Sequence, residues 1–316
     1  MAVHYLEFEK PIADLEAKIE ELNLLSATSG SFDAEVEGLR KKAEQLRKKT
    51  YAALDPWMKT QVARHPQRPH FIDYVETLFT DFTELRGDRQ FGDDQAILGG
   101  LARFRGQACV IMGHEKGHDT ATRLTHNFGM ARPEGYRKAV RLMDMAEQFG
   151  LPVLSFVDTA GAYPGLGAEE RGQAEAIARS TERGLTLGTP SIATITGEGG
   201  SGGAIAIAAA NRVLMLEHSI YSVISPEGAA SILWRDGARA KDAASAMKIT
   251  GPDLIDLKIV DRVIEEPLGG AHADRELAMQ TVGDVLEEEL AALTPLTADQ
   301  LRAQRAERFY AIGRLG

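Results

Sequence analysis

Between residues 197 and 203, five of seven positions are glycine, in the run Gly197-Glu198-Gly199-Gly200-Ser201-Gly202-Gly203. An apolar run at 191–195 precedes it and a stretch of very small residues, 204–210, follows. Strand, glycine cluster, helix is the expected order. Glycine lets the backbone turn where other residues clash and leaves peptide N–H groups uncovered. The first N–H groups of a helix lack intrahelical acceptors and carry positive partial charge. Such a junction predicts a site for an anion or a developing oxyanion.

A second unit of this kind lies upstream. Residues 152–157 read as a strand, 158–168 as a loop with four glycine or proline positions, and 169–187 as a helix. Ligands of open α/β sheets bind beyond the carboxyl ends of strands, so the two loops are expected to line one pocket. Glu169 and Glu170 then suit a helix start. Around these units, 97–104 and 108–112 flank Arg105-Gly106-Gln107 as a hairpin. Residues 133–149 form a helix that begins at Pro133 and stops at Gly150. Strands are expected at 213–216, 220–224 and 259–264, and a helix at 226–234. Strands alternating with helices predict a parallel or mixed sheet covered by helices.

The first 55 residues differ. Ile12, Leu15, Ile19 and Leu22 repeat at threes and fours, as do Val36, Leu39, Ala43 and Leu46 after a Ser/Thr/Gly break at 26–31. This predicts an antiparallel helical hairpin with a narrow apolar seam. Its basic flanks, Arg40-Lys41-Lys42 and Arg47-Lys48-Lys49, read as a solvated face. Prolines 56, 66 and 69 mark a linker, and Phe71, Val75, Leu78 and Phe82 predict a helix over 71–82. Three regions follow: a hairpin at 1–55, a linker and helix at 56–96, and an α/β domain at 97–316.

Composition narrows the function. The 316 residues carry a net charge of −10, which argues against a dedicated nucleic-acid binder. The lone Cys109 excludes an intramolecular disulfide and a thiolate zinc cage. A reducing, cytoplasmic setting is expected. No apolar run reaches the roughly 18 residues of a membrane span, and no signal peptide is evident at the start.

Three motif matches fail on context. Gly197, Gly199 and Gly202 satisfy G-x-G-x-x-G with Glu217 twenty residues on, but the intervening helix is too short for a dinucleotide fold. Gly199 to Gly203 satisfies G-x-S-x-G around Ser201, but only His218 and His272 lie downstream, and neither is placed for a serine hydrolase. His114-Glu115-Lys116-Gly117-His118 satisfies H-E-x-x-H, but Gly113 and Gly117 break the helix that zinc peptidases need. It reads as a loop with two polar histidines.

Longer strings carry a specific resemblance. Asn127-Phe128-Gly129-Met130, Pro133 to Ala139, Ala162-Tyr163-Pro164-Gly165 and Gly167 to Gln173 are among them. So are Gly197 to Ala204, Tyr221 to Gly228, and Glu266-Pro267-Leu268-Gly269-Gly270-Ala271-His272. With Phe8-Glu9-Lys10-Pro11-Ile12, they cover nearly the whole chain in order. The sequence resembles the alpha subunits of bacterial-type acetyl-CoA carboxylase carboxyltransferase. That resemblance implies an α/β, crotonase-like spiral of ββα units with the N-terminal hairpin as an extension. It implies carboxyl transfer from carboxybiotin, on a carrier protein, to acetyl-CoA, giving malonyl-CoA for fatty-acid synthesis. It further implies an obligate beta subunit, which holds any zinc, in an α2β2 assembly with biotin carboxyl carrier protein and biotin carboxylase. This chain itself is expected to bind no metal and to carry no biotin.

On that reading, the backbone N–H groups of Gly202 and Gly203 form the oxyanion hole for carboxybiotin, where a Cβ would crowd the ring. Gly199, Gly200, Ser201 and the loop Ala162, Tyr163, Pro164 and Gly165 wall the pocket. TATRLTH at 120–126 is less basic than in the family, so if that loop meets CoA phosphates, either CoA binds more weakly or Arg123, Arg132 and Arg137 are the candidate contacts. His118 also replaces a commonly basic position there, Ala160 a common proline and Ala230 a common cysteine. Two alternatives stay open: another crotonase-like acyl-CoA enzyme, a hydratase or decarboxylase using Glu198 and Glu227, or a non-enzymatic scaffold subunit.

Overall fold

A computed structural model describes residues 4–29 and 32–314, with backbone only for 26–29. A helical hairpin, α1 (Lys10–Ser29) and α2 (Asp33–Ala52), leads into α3 (Pro56–Ala63) and α4 (Phe71–Leu78). The sheet domain then runs β1 (Phe79–Glu84), β2 (Ile97–Phe104), β3 (Gln107–His114), α5 (Thr120–Thr125), α6 (Pro133–Phe149), β4 (Val153–Thr159), α7 (Leu166–Glu170) and α8 (Gln173–Thr186). It continues with β5 (Ser191–Gly200), α9 (Ser201–Ala208), β6 (Arg212–Leu216), β7 (Ile220–Ser222), α10 (Pro226–Trp234), α11 (Ala240–Ala246) and α12 (Gly251–Asp256). β8 (Arg262–Ile264), α13 (Arg275–Leu293) and α14 (Ala298–Ala311) complete it.

The sheet order is β1-β2-β3-β4-β5-β6-β8, with β7 added on β5. β1, β2 and β3 pair antiparallel, and the remaining ladders are parallel. Side chains alternate along the strands. Val110 and Met112, Val153 and Val157, and Val213 and Met215 enter the core under α6, α8 and α9. Cys109 and Ile111, Leu154 and Phe156, and Leu214 and Leu216 face the opposite core, beneath α4 and α13. Both faces are therefore covered, as parallel sheets require.

In the hairpin, Ile12, Leu22, Val36 and Ala43 are buried, as the apolar seam requires. Lys41 and Lys48 lie exposed and pair with Glu37 and Glu44 one turn back. The expected break at 26–31 is shorter: α1 extends to Ser29, and residues 30–31 lie outside the described residues. Arg105 (φ 46) and Gly106 (φ 86) make a two-residue hairpin turn, and Gly150 (φ 66) ends α6.

Three expectations need correction. The helix over 71–82 stops at Leu78, and Phe79 starts β1 because pairing with β2 captures it. The helix over 169–187 starts only at Gln173, so Glu169 and Glu170 sit in α7. The glycine cluster is not a loop: β5 runs through Gly200 and α9 starts at Ser201.

β5 organises the site. Its first half, Ile192 to Ile195, pairs with β6, and its second, Glu198 to Gly200, with β7. Against β4, the register jumps from Val157↔Ile195 to Thr159↔Gly199. That irregularity redirects the strand at 196–198, as bulges do. Arg68, from the α3–α4 connection, donates Nε–H to the Thr196 carbonyl at 2.6 Å. Its guanidinium also makes a buried two-pronged pair with Glu266.

Candidate active site

The glycines of the cluster answer to different constraints. A Cβ on Gly197 would lie 2.4 Å from Asp158 Oδ1, on Gly199 2.7 Å from the Tyr221 ring, and on Gly200 2.3 Å from the Ala160 carbonyl. On Gly203 it would lie 2.8 Å from the Ala162 nitrogen. Close approach of β4, β7 and the 160s loop accounts for these four. Gly202 differs, because its Cβ would meet only Ile177 at 3.4 Å, an ordinary contact.

The strand enters α9 without a connecting loop, through Ser201 in the left-handed region at φ 52. Gly200 is the N-cap, and no side chain caps the helix. The first-turn N–H groups therefore have neither intrahelical acceptors nor a side-chain cap. The 160s loop packs beside them, so the structure brings the two expected motifs together. In that loop, the Tyr163 N–H donates to the Ala131 carbonyl at 3.0 Å, and Arg132 lies over the Tyr163 ring at 4.7 Å.

Beyond the carboxyl ends of β3 and β4 lies a cavity of about 420 Å³, lined by Arg64, Lys116, Arg123, Asp158, Ala160 and Glu198. Ala160 joins cavity and cluster, because Gly200 packs on its backbone. A chain of ion pairs crosses the cavity, buried at Asp158 and Glu198 and half-buried at Arg64 and Glu227. Lys116 Nζ lies 2.6 Å from Asp158 and 3.3 Å from Glu198. Arg64 donates Nε–H to Glu198 at 2.7 Å and pairs through Nη1 and Nη2 with both Glu227 oxygens. The Glu198 backbone N–H donates to Asp158 at 2.8 Å. Burial works to raise the Glu198 carboxyl, but Lys116 and Arg64 outweigh it and hold it below the usual range. Glu227 is held low in the same way, by Arg64.

Sequence reasoning missed Arg64, Lys116 and Asp158 as one group. They come from three remote segments, and only Asp158, ending a strand before a glycine-rich loop, carries a local signal. The three expected arginines separate. Arg123 lines the cavity, Arg132 stacks on Tyr163, and Arg137 spends its donors on Asp88, Glu134 and the Arg171 carbonyl. The H-E-x-x-H string also differs from expectation. His114 is fully buried in β3, where burial holds its ring near 4 and so neutral.

The family profile described as acetyl co-enzyme A carboxylase carboxyltransferase-like matches residues 5–313. The chain belongs to this family. It is 73% identical to the acetyl-coenzyme A carboxylase carboxyl transferase subunit alpha of Caulobacter sp. (strain K31), covering 100% of this chain and 99% of that one. Identity to the subunit of the same name from Phenylobacterium zucineum (strain HLK1) is 70%, with the same coverage. Among solved structures, transcarboxylase 12S, with methylmalonyl-coenzyme A and methylmalonic acid bound, is similar at TM-score 0.57 and 18% identity. The match covers 73% of this chain but 44% of that one. A Pseudomonas malonate decarboxylase hetero-tetramer in complex with coenzyme A is similar at TM-score 0.57 and 18% identity, over 70% and 89% of the two chains. The fold is the crotonase-like α/β fold expected from the sequence. Among the described residues, no helix is long and apolar enough to cross a membrane.

Proposed function

We propose that this chain is the alpha subunit of an acetyl-CoA carboxylase carboxyltransferase and takes part in moving the carboxyl group of carboxybiotin to acetyl-CoA, giving malonyl-CoA. The observation that carries the site assignment is the uncapped start of α9 directly after β5. The N–H groups of Gly202 and Gly203 supply donors where negative charge develops on the ureido oxygen, and such donors act in the transition state rather than the ground state. The carboxybiotin group, delivered on a carrier protein, supplies the transferable carboxyl. Gly199, Gly200 and Ser201 wall the pocket on one side, and Ala162 to Gly165 on the other. Arg123 and Arg132 remain as contacts to CoA phosphates, whereas Arg137 is committed to its own ion pairs.

The remaining parts belong to the same reading: a beta subunit that carries the zinc and the enolate site, an α2β2 assembly, the biotin carboxyl carrier protein and biotin carboxylase, and a cytoplasmic location. The hairpin at 1–55 is an extension of the carboxyltransferase domain, and the segment 56–96, read from sequence as a linker and helix, belongs with that domain because α4 and β1 join its core and sheet. A hydratase fares worse, because it needs a proton donor. Glu198 and Glu227 are both held in the ionised form by Arg64.

The test mixes the purified chain with a beta subunit from the same source and follows biotin-dependent carboxyl transfer, with each chain alone as control. Activity is expected only in the mixture. Gly202→Val keeps the N–H but its branched side chain presses on Ile177 and displaces the start of α9, which should lower activity by about 100-fold, the usual cost of losing one aligned oxyanion donor. Turnover of an enoyl-CoA by the chain alone, or full activity of the variant mixture, overturns the reading.

A further inference from the structure

Apart from Lys116, the H-E-x-x-H string has no part in the function proposed above. Its first histidine belongs to the core, but Glu115 and His118 meet His70, just before α4. One ligand atom of each of the three lies within 4.8 Å of the others. His70 is 4% exposed, and its Nδ1 has no hydrogen-bond partner. That atom lies 3.6 Å from Glu115 Oε1, too far for a hydrogen bond. Glu115 is fully buried and accepts N–H groups from Ile72 and Gly117. Among the described residues, no lysine or arginine pairs with it. The His118 ring stacks on His70 at 4.4 Å and stays open to solvent on its far side.

Two imidazoles and a carboxylate, converging with one side open, form the donor set of a zinc-type ion that keeps a water ligand. Bonds of about 2.0–2.1 Å place donors around a tetrahedral ion roughly 3.3 Å apart. The His70–Glu115 spacing is close to that value, and the half-exposed His118, stacked on His70, has to turn out of the stack to complete the set. Asp73, 3.5 Å from His118 Nε2, is placed as the outer carboxylate that orients a ligating histidine. None of the nearby cations pairs with Glu115: Lys116 bridges Asp158 and Glu198, Arg123 donates Nε–H to the Gly117 carbonyl, and Arg275 pairs with Asp73.

A second trio, Glu9, His65 and His272, is equally close. It differs in its histidines: both His65 nitrogens are already bonded, to the His4 carbonyl and the Gln67 N–H, whereas His70 Nδ1 has no partner, and the Glu9 and Glu115 oxygens alike accept hydrogen bonds.

We infer that His70, Glu115 and His118 bind one transition-metal dication of the zinc class, completed by water, and that this ion ties the loop after β3 to the start of α4. The single cysteine excludes only a thiolate site. The inference stands independently of the carboxyltransferase reading.

The experiment titrates the purified full-length chain, freed of metal and without partner subunits, with Zn2+ by calorimetry and with Co2+ by visible absorption. One site is expected, with a dissociation constant on the order of 1 µM or tighter and the intense bands of low-coordinate Co2+. His118→Ala, at an exposed position, should weaken binding by at least about 100-fold, more than an outer-sphere change costs. His70→Ala should do the same, and His272→Ala should leave binding intact. Thermal melts confirm that each variant is folded. Absence of a one-to-one site, or a site lost in His272→Ala but kept in His118→Ala, overturns the inference.

Discussion

Lys116→Met removes the cation shared by Asp158 and Glu198 while keeping most of the side-chain volume. The two contacts, at 2.6 and 3.3 Å, are each worth roughly 5–6 kcal/mol at an effective dielectric of about 20, before desolvation is subtracted. Breaking a buried pair costs about 3–5 kcal/mol net, because an uncompensated charge stays behind. One flank of Lys116 opens on the cavity, which argues for the lower end, about 3 kcal/mol. The pH dependence gives a second check. In the variant, Asp158 loses its cation and Glu198 keeps only Arg64, so the folded state takes up protons more readily than the unfolded chain. The deficit is then full at high pH and shrinks as pH falls. Urea melts of both proteins at pH 8 and pH 5.5 measure it. A deficit under about 1 kcal/mol at pH 8, or one that grows on acidification, refutes the account of this ion-pair chain.

Two further outcomes follow from the packing. Gly203→Ala should cost about 1–3 kcal/mol, because its Cβ meets backbone at 2.8 Å. Gly202→Ala should be neutral or gain up to about 1 kcal/mol of helix propensity, and equal losses of melting temperature in both would count against this distinction. The Glu266 side chain is fully buried. Burial works to raise its carboxyl, but Arg68 outweighs it, lowering the value from 4.5 to about 2. That drop corresponds to about 3 kcal/mol of stability, present above pH 4.5 and lost as pH falls towards 2. Glu266→Gln should flatten the fall in stability through that window, and an unchanged slope in acid titration would contradict the assignment.

The sequence was most legible where a local signal had no competitor. Pro133 and Gly150 bracket α6, and Ser225-Pro226 opens α10, at the expected residues. The seam of the N-terminal hairpin is also local, set by spacing alone. Phe79 and Phe82 were misread because helical spacing extends across them, whereas pairing of β1 with β2, between residues 16 to 25 apart, decides their conformation. The glycines at 197, 199 and 200 were misread for a related reason. Low strand propensity points to a loop, yet the sheet needs small residues where β4, β7 and the Ala160 segment crowd β5. The meeting of the two glycine-rich segments was readable, since both follow parallel strands. The ion-pair chain was not, because Arg64, Lys116 and Glu227 acquire their roles only from partners across the fold.

The pair between Arg68 and Glu266 spans 198 residues. It joins the connection that carries Arg64 to the segment just after β8, and it also pins the carbonyl of Thr196 in β5. During synthesis, β5 and its glycines leave the ribosome long before Glu266 does. Until then, Arg68 has no counter-charge, and burying it against β5 is unfavourable. The wall of the cavity therefore closes late in the growth of the chain, after most of the sheet has formed. A chain cut short before residue 266 should retain much of its secondary structure and still lack a finished site.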